Sequence, residues 1–116
     1  MITRTSREHV LKILEKNQKN WQILDIGCNQ DAVVYAQTAA DITNFSKFYK
    51  DKKFVLIDGK ELPFKDDEFD FVYSSHVIEH VEDVAYFIKE LQRISKQGYI
   101  ELPSMLEDNL VLSDNS

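Results

Sequence analysis

The sequence predicts an α/β fold, a mostly parallel sheet of about five strands with helices wound on both faces, and three observations predict it. Short apolar runs alternate with helically periodic segments from residue 21 to residue 102, the pattern of strands joined by crossover connections. All three glycines, Gly27, Gly59 and Gly98, fall at joints between strands and other elements. The apolar runs also end in polar residues, at Asp25 to Asp31, Asp41, Asp58-Gly59 and Ser74-Ser75-His76. In open parallel sheets ligands gather at the carboxyl ends of the strands, near the point where strand order reverses.

The elements follow in order. Thr5-Ser6-Arg7-Glu8 has the spacing of a capping box, with Thr5 as the cap, and predicts a helix over 6–18 with Val10, Leu11, Ile13 and Leu14 on its packed face. Trp21 to Ile26 reads as a strand closed by Gly27, where the backbone can turn sharply without a Cβ. Residues 33–42 admit either a strand or a helix start, with Ala39 to Ile42 fitting a strand that ends in an acid, and 44–50 fit a short helix. Phe54 to Ile57 is fully apolar, as buried parallel strands tend to be, and Phe69 to Tyr73 is a further strand. Val84, Phe87, Ile88, Leu91 and Ile94 keep the 3.6-residue period over 83–95, with Lys89, Glu90, Gln92 and Arg93 outward. Glu82 and Asp83 suit the start of that helix, Gly98 suits a left-handed stop after it, and Tyr99 to Leu102 is the last strand. These elements make one domain over 1–104. The acidic and apolar tail, 105–116, either pairs with or covers the exposed sheet edge through Leu106, Leu110, Val111 and Leu112, or is disordered.

Composition narrows the function. The 116 residues are 43% hydrophobic, enough for a core, and carry a net charge of −6. Residues 61–116 hold 13 acidic against 4 basic side chains, the opposite of the basic stripe that neutralises phosphates, so no nucleic-acid partner is expected. No run approaches the ~20 apolar residues of a membrane span, and MITRTSREHV lacks the apolar centre of a secretory signal. A cytoplasmic protein with no membrane partner is expected. The lone cysteine, Cys28, excludes an internal disulfide, a zinc knuckle and a redox pair.

Taken together, the strand ends resemble the S-adenosylmethionine-dependent methyltransferases of the seven-stranded, doubly wound class. The resemblance spans roughly residues 20 to 104. Ile23-Leu24-Asp25-Ile26-Gly27-Cys28 is similar to the family's first motif and Ala40-Asp41-Ile42 to the acidic end of its second strand. Ile57-Asp58-Gly59-Lys60-Glu61-Leu62-Pro63-Phe64 is similar to the third, and Phe69 to Val81 to the fourth strand and its loop. The resemblance implies a Rossmann-like sheet of order 3-2-1-4-5, with the family's last strands missing and one sheet edge open to a homodimer. It implies S-adenosylmethionine as cofactor and a small-molecule or protein methyl acceptor. Asp25 would orient the ammonium, Gly27 and Asn29 would form the turn beside the methionine portion, and Asp41 would accept the ribose hydroxyls. Asp58 would accept the adenine amino group, with the Gly59 backbone beside the ring and Ser75 beneath the sulfur.

Departures from the family pattern open a second reading. Two further motif glycines are replaced by Asn29, which tolerates a left-handed backbone, and by Asp31. Asp31 adds a side chain and a charge where the first helix should pack close to its strand. Only 16 positions separate Asp25 from Asp41, so the first crossover helix is expected to be truncated or absent. A non-catalytic interaction or assembly module is therefore the alternative to an enzyme. His76-Val77-Ile78-Glu79-His80 matches a His-x-x-Glu-His zinc signature, but too little chain follows to build such an enzyme, and no metal is expected. His76, Glu79 and His80 are candidates for a general base; aligned methyl transfer does not require one, and the catalytic residue stays unassigned.

Overall fold

The computed structural model describes residues 2–58, 60–75, 83–101 and 109–113. In chain order they form β1 (Ile2–Arg4), α1 (Arg7–Asn17), β2 (Ile23–Ile26), β3 (Thr38–Asp41), a 3-10 turn (Ser46–Phe48), β4 (Lys53–Leu56), β5 (Phe69–Ser74), α2 (Val84–Ile94), β6 (Ser95–Glu101) and β7 (Asn109–Ser113). One seven-stranded sheet collects them in the order β1-β7-β6-β5-β2-β3-β4. Five contiguous strands, β6-β5-β2-β3-β4, are parallel and reproduce the expected 3-2-1-4-5 order.

Side chains of a strand alternate between faces, and the inner strands use both. Leu24, Ile26, Val72 and Ile100 pack with Phe87, Leu91 and Ile94 of α2, while Ile23, Phe71, Tyr73 and Tyr99 pack with Val10 and Leu14 of α1. Trp21 stacks on Phe71 with ring centroids 5.9 Å apart. Asp25 lies between Ile23 and the Gly27 turn on the α1 side, paired in register with Tyr73. Ala40 of β3 and Val55 of β4 still join the α2 cluster, but on their opposite side the described residues offer turns and no helix. Cys28, Ala39 and Tyr49 make a small third cluster there with Ala32, Phe45 and Phe54.

Four expectations need correction. The sheet edge thought to be open is paired: β7 runs antiparallel to β6, with Leu112 opposite Gly98, and β1 runs antiparallel to β7. Part of the 105–116 tail therefore pairs with that edge, one of the alternatives expected of it, and the β6 edge offered to a homodimer is occupied. Both strands are short, and neither carries enough alternation to read as a strand alone. The cap of α1 is Ser6, not Thr5; its extended backbone lets its hydroxyl accept from the His9 N–H at 3.2 Å. Gly98 does not stop α2. It lies inside β6, where an added Cβ would come within 2.6 Å of Val72 Cγ1, so close strand packing is what a side chain there would break. Finally, Asp31 crowds no helix, because residues 27–37 contain only turns, and its side chain is exposed.

Candidate functional site

The carboxyl ends of β2 and β3 meet in a turn held by hydrogen bonds. Gly27 takes a left-handed backbone, φ 78°, and its N–H donates to the Ala40 carbonyl at 2.8 Å. Asn29 is also left-handed, φ 51°, the conformation the sequence requires of it. Its N–H donates to Asp41 Oδ2 at 2.9 Å, while the Thr43 N–H donates to Asp41 Oδ1 at 3.0 Å. Asp41 is buried, and its carboxylate staples the turn after β2 to the end of β3.

Asp25 sits at the base of that turn and is 2% exposed. Its Oδ2 accepts from the Val33 N–H at 2.7 Å, but among the described residues its Oδ1 has no partner. Burial pushes the carboxyl up to about 7, against the lowering pull of the Val33 N–H and of Lys52; Asp41 adds to the rise. A buried carboxylate oxygen without a donor is costly, and a cation brought to it would relieve that cost.

Asp58 lies apart from these groups. It is exposed, and its Oδ1 accepts from the Lys60 N–H at 2.9 Å. With Lys60, Glu61, Leu62, Pro63 and Tyr86 it lines an open hollow, and with Leu56, Ile57, Glu61 and Pro63 a second one. Neither hollow is lined by Asp25, Gly27 or Asp41. The two regions are joined through backbone, the Ile57 N–H donating to the Asp41 carbonyl at 3.0 Å. Ser75 is half-buried immediately after β5, whose Ser74 pairs with Ile26. Gly59, His76, Glu79 and His80 lie outside the described residues. Cys28 is buried, and burial pushes its thiol up to about 11, which leaves it unreactive.

Sequence reasoning missed three supports. The Tyr49 hydroxyl accepts from the Ala32 N–H at 3.0 Å and donates to the Asn29 carbonyl at 2.5 Å, bracing the glycine turn from outside. Arg7 Nε, Tyr99 and Tyr73 all donate to Glu101 Oε1, at 2.6, 3.0 and 3.4 Å, and so anchor the start of α1 to the end of β6. Glu90 and Arg93, expected outward, are buried and half-buried instead, turned onto the loop before β5. An aromatic or charged residue at a helical boundary carries no sequence signal for such a partner.

Comparison with known proteins bears on the family and the fold. Residues 9–100 match the family described as "Methyltransferase domain". The chain is 26% identical over 119 residues to the ubiquinone biosynthesis O-methyltransferase of Pelagibacter ubique, covering 90% of this chain and 50% of that protein. It is 35% identical over 65 residues to the chloroplastic tocopherol O-methyltransferase of Arabidopsis thaliana, covering 56% of this chain and 19% of that one. The crystal structure of the YcgJ protein of Bacillus subtilis superposes with a TM-score of 0.62 at 23% identity, covering 81% of this chain and 50% of that one. The chain thus spans half or less of the curated relatives it matches.

Proposed function

The chain belongs to the methyltransferase domain family, and from that premise we propose that it binds S-adenosylmethionine across its inner strand ends and serves methyl transfer to a small-molecule or protein acceptor. When bound, the cofactor supplies a methyl group activated by a sulfonium. The observation that carries the reading is the buried, unpartnered Asp25 Oδ1 beside the left-handed turn at Gly27 and Asn29. A carboxylate oxygen suits the ligand's ammonium. A dinucleotide is disfavoured by the same turn: residues 27–37 contain no helix, so no helix N-terminus is offered to a pyrophosphate.

Each residue then has a stated task. Asp25 orients the ammonium, and the Gly27–Asn29 backbone lies along the methionine portion. Asp41 already accepts two backbone N–H groups, but an ionised carboxylate has about four acceptor sites, which leaves capacity for ribose hydroxyls. Asp58 takes the adenine amino group, with Gly59 beside the ring and Ser75 near the sulfur. No general base is assigned among these, and alignment of acceptor and methyl is the main demand on the fold. Self-association through a sheet edge has those of β1 and β4 to use among the described residues, since β6 is paired on both sides.

Isothermal titration of the chain with S-adenosylhomocysteine tests the proposal. Saturable heat, weakened by Asp41→Ala, is the expected result. No heat and no thermal shift at millimolar ligand would remove it.

A further inference from the structure

The loop before β5 has no regular structure between residues 60 and 68, yet its backbone is tied to α2 by two side chains. Glu90 Oε1 accepts from the Leu62 N–H at 2.8 Å. The Arg93 guanidinium donates to the Leu62 carbonyl at 3.0 Å, to the Phe64 carbonyl at 2.8 Å and to Asp66 Oδ1 at 2.9 Å. Arg93 Nε donates to Glu90 Oε2 at 2.7 Å, and a second nitrogen reaches Glu90 Oε1 at 3.1 Å. The pair is mutually stabilising: the guanidinium holds the Glu90 carboxyl below its usual range. The Arg93 carbonyl accepts from the Asp67 N–H at 2.8 Å and completes the tie.

This pair stands where it controls a site. The hollow at Asp58 has one wall on the loop, at Asp58 and Lys60 to Pro63, and the other on α2, at Tyr86. Glu90 follows Tyr86 by four residues, one turn along the same helix face, and grips Leu62, the residue between Glu61 and Pro63 in the loop wall. The separation of the two walls is therefore set by the Glu90–Arg93 fork. We infer that Glu90 and Arg93 are positioning residues of the nucleoside subsite: they touch no ligand, but hold the Asp58 wall at the distance from Tyr86 that admits the base. This rests on the proposed cofactor reading, since it takes Asp58 as the group that meets the adenine.

A double-mutant cycle with Arg93→Ala and Asp58→Ala, read by titration with S-adenosylhomocysteine on protein shown folded by circular dichroism, tests it. Each single change should weaken binding about tenfold, and the double variant should be no weaker than the poorer single, because Arg93 acts through the wall that carries Asp58. A purely structural Arg93 gives unchanged affinity in the folded variant, or losses that multiply to about a hundredfold in the double; either overturns the inference. An Asp58→Ala variant that binds like the parent overturns it too, since the hollow is then not the subsite. If Arg93→Ala does not fold, Arg93→Lys carries the same cycle, because an ammonium cannot span both the Leu62 and Phe64 carbonyls. Absence of heat with the unsubstituted chain counts against the cofactor reading itself, a different outcome from binding that ignores Arg93.

Discussion

The two halves of the sheet are held by different forces. Around β5 and β6, α1 and α2 cover opposite faces with fully buried side chains, among them Leu14, Phe71, Phe87, Leu91 and Tyr99. Around β3 and β4 one face joins the α2 cluster through Ala40 and Val55, and the cover of the other, among the described residues, is turns fixed by hydrogen bonds involving Asp41, Tyr49 and Lys52. Apolar burial is non-directional and large, whereas a hydrogen bond is directional and contributes about 1 kcal/mol net. The first half therefore supplies stability and the second supplies placement. The candidate site straddles the boundary between them, with Asp25 on the strand they share and Asp41 and Asp58 on the loop-covered side.

If that division is right, truncation in the packed half costs most. Phe87→Ala, in the core shared by α2 and the sheet, should destabilise the fold by roughly 3–5 kcal/mol, read by urea denaturation. A loss under about 1 kcal/mol would mean that this half does not carry the stability.

Asp25 tests the boundary strand. Its carboxyl, near 3.8 in the unfolded chain and about 7 in the fold, binds its proton more tightly when folded. The stability it contributes is full below the unfolded value and is lost as pH rises through about 7. Between pH 5 and pH 8 that loss is about 2–3 kcal/mol. Asp25→Asn should lack this slope, so its stability relative to the parent should rise over that range. Parallel pH profiles for the two proteins would show that Asp25 is ordinary.

Gly98→Ala probes the contact between β6 and β5. The new Cβ would meet both Val72 Cγ1 and, at 3.1 Å, the Val72 carbonyl oxygen, and backbone cannot rotate away as a side chain can. A loss of about 1–3 kcal/mol is expected, with guanidinium melts as the check and a neutral result excluding the close approach.

The same division explains what was legible in the sequence. Apolar runs and a 3.6-residue period marked the central strands and both helices, because burial leaves a compositional trace; Phe54 to Ile57 read as a buried strand, yet β4 stands at the sheet edge with Leu56 exposed, since an apolar run does not say which strand comes last. Asp25, Gly27, Asn29 and Asp41 could be singled out because strand ends concentrate polar residues in a parallel sheet, and Asn29 takes the left-handed backbone it was expected to tolerate. The parts that depend on a partner far along the chain were not legible. β1 is three residues long and pairs with a strand more than a hundred positions away. Glu90 and Arg93 read as an outward helix face, since nothing in their spacing announces the Leu62 and Phe64 carbonyls. Gly98 read as a helix stop because a close approach between neighbouring strands has the same one-letter signature.

Tyr49→Phe gives the smallest expected effect and the sharpest separation of placement from stability. The ring stacks on Phe54 with centroids 6.0 Å apart, and phenylalanine keeps that stack, so packing is unchanged. Only the hydroxyl goes, and with it the acceptor for the Ala32 N–H and the donor to the Asn29 carbonyl. The stability cost should be about 1 kcal/mol, less than any of the changes above. S-adenosylhomocysteine affinity should nevertheless fall several-fold, because the left-handed turn at Asn29 loses its outer brace while Asp41 holds it from one side alone. Titration beside a thermal melt measures both. If affinity and stability fall together in proportion, or affinity does not move, the turns are packing like the rest of the molecule, and the contrast between the two halves is one of degree only.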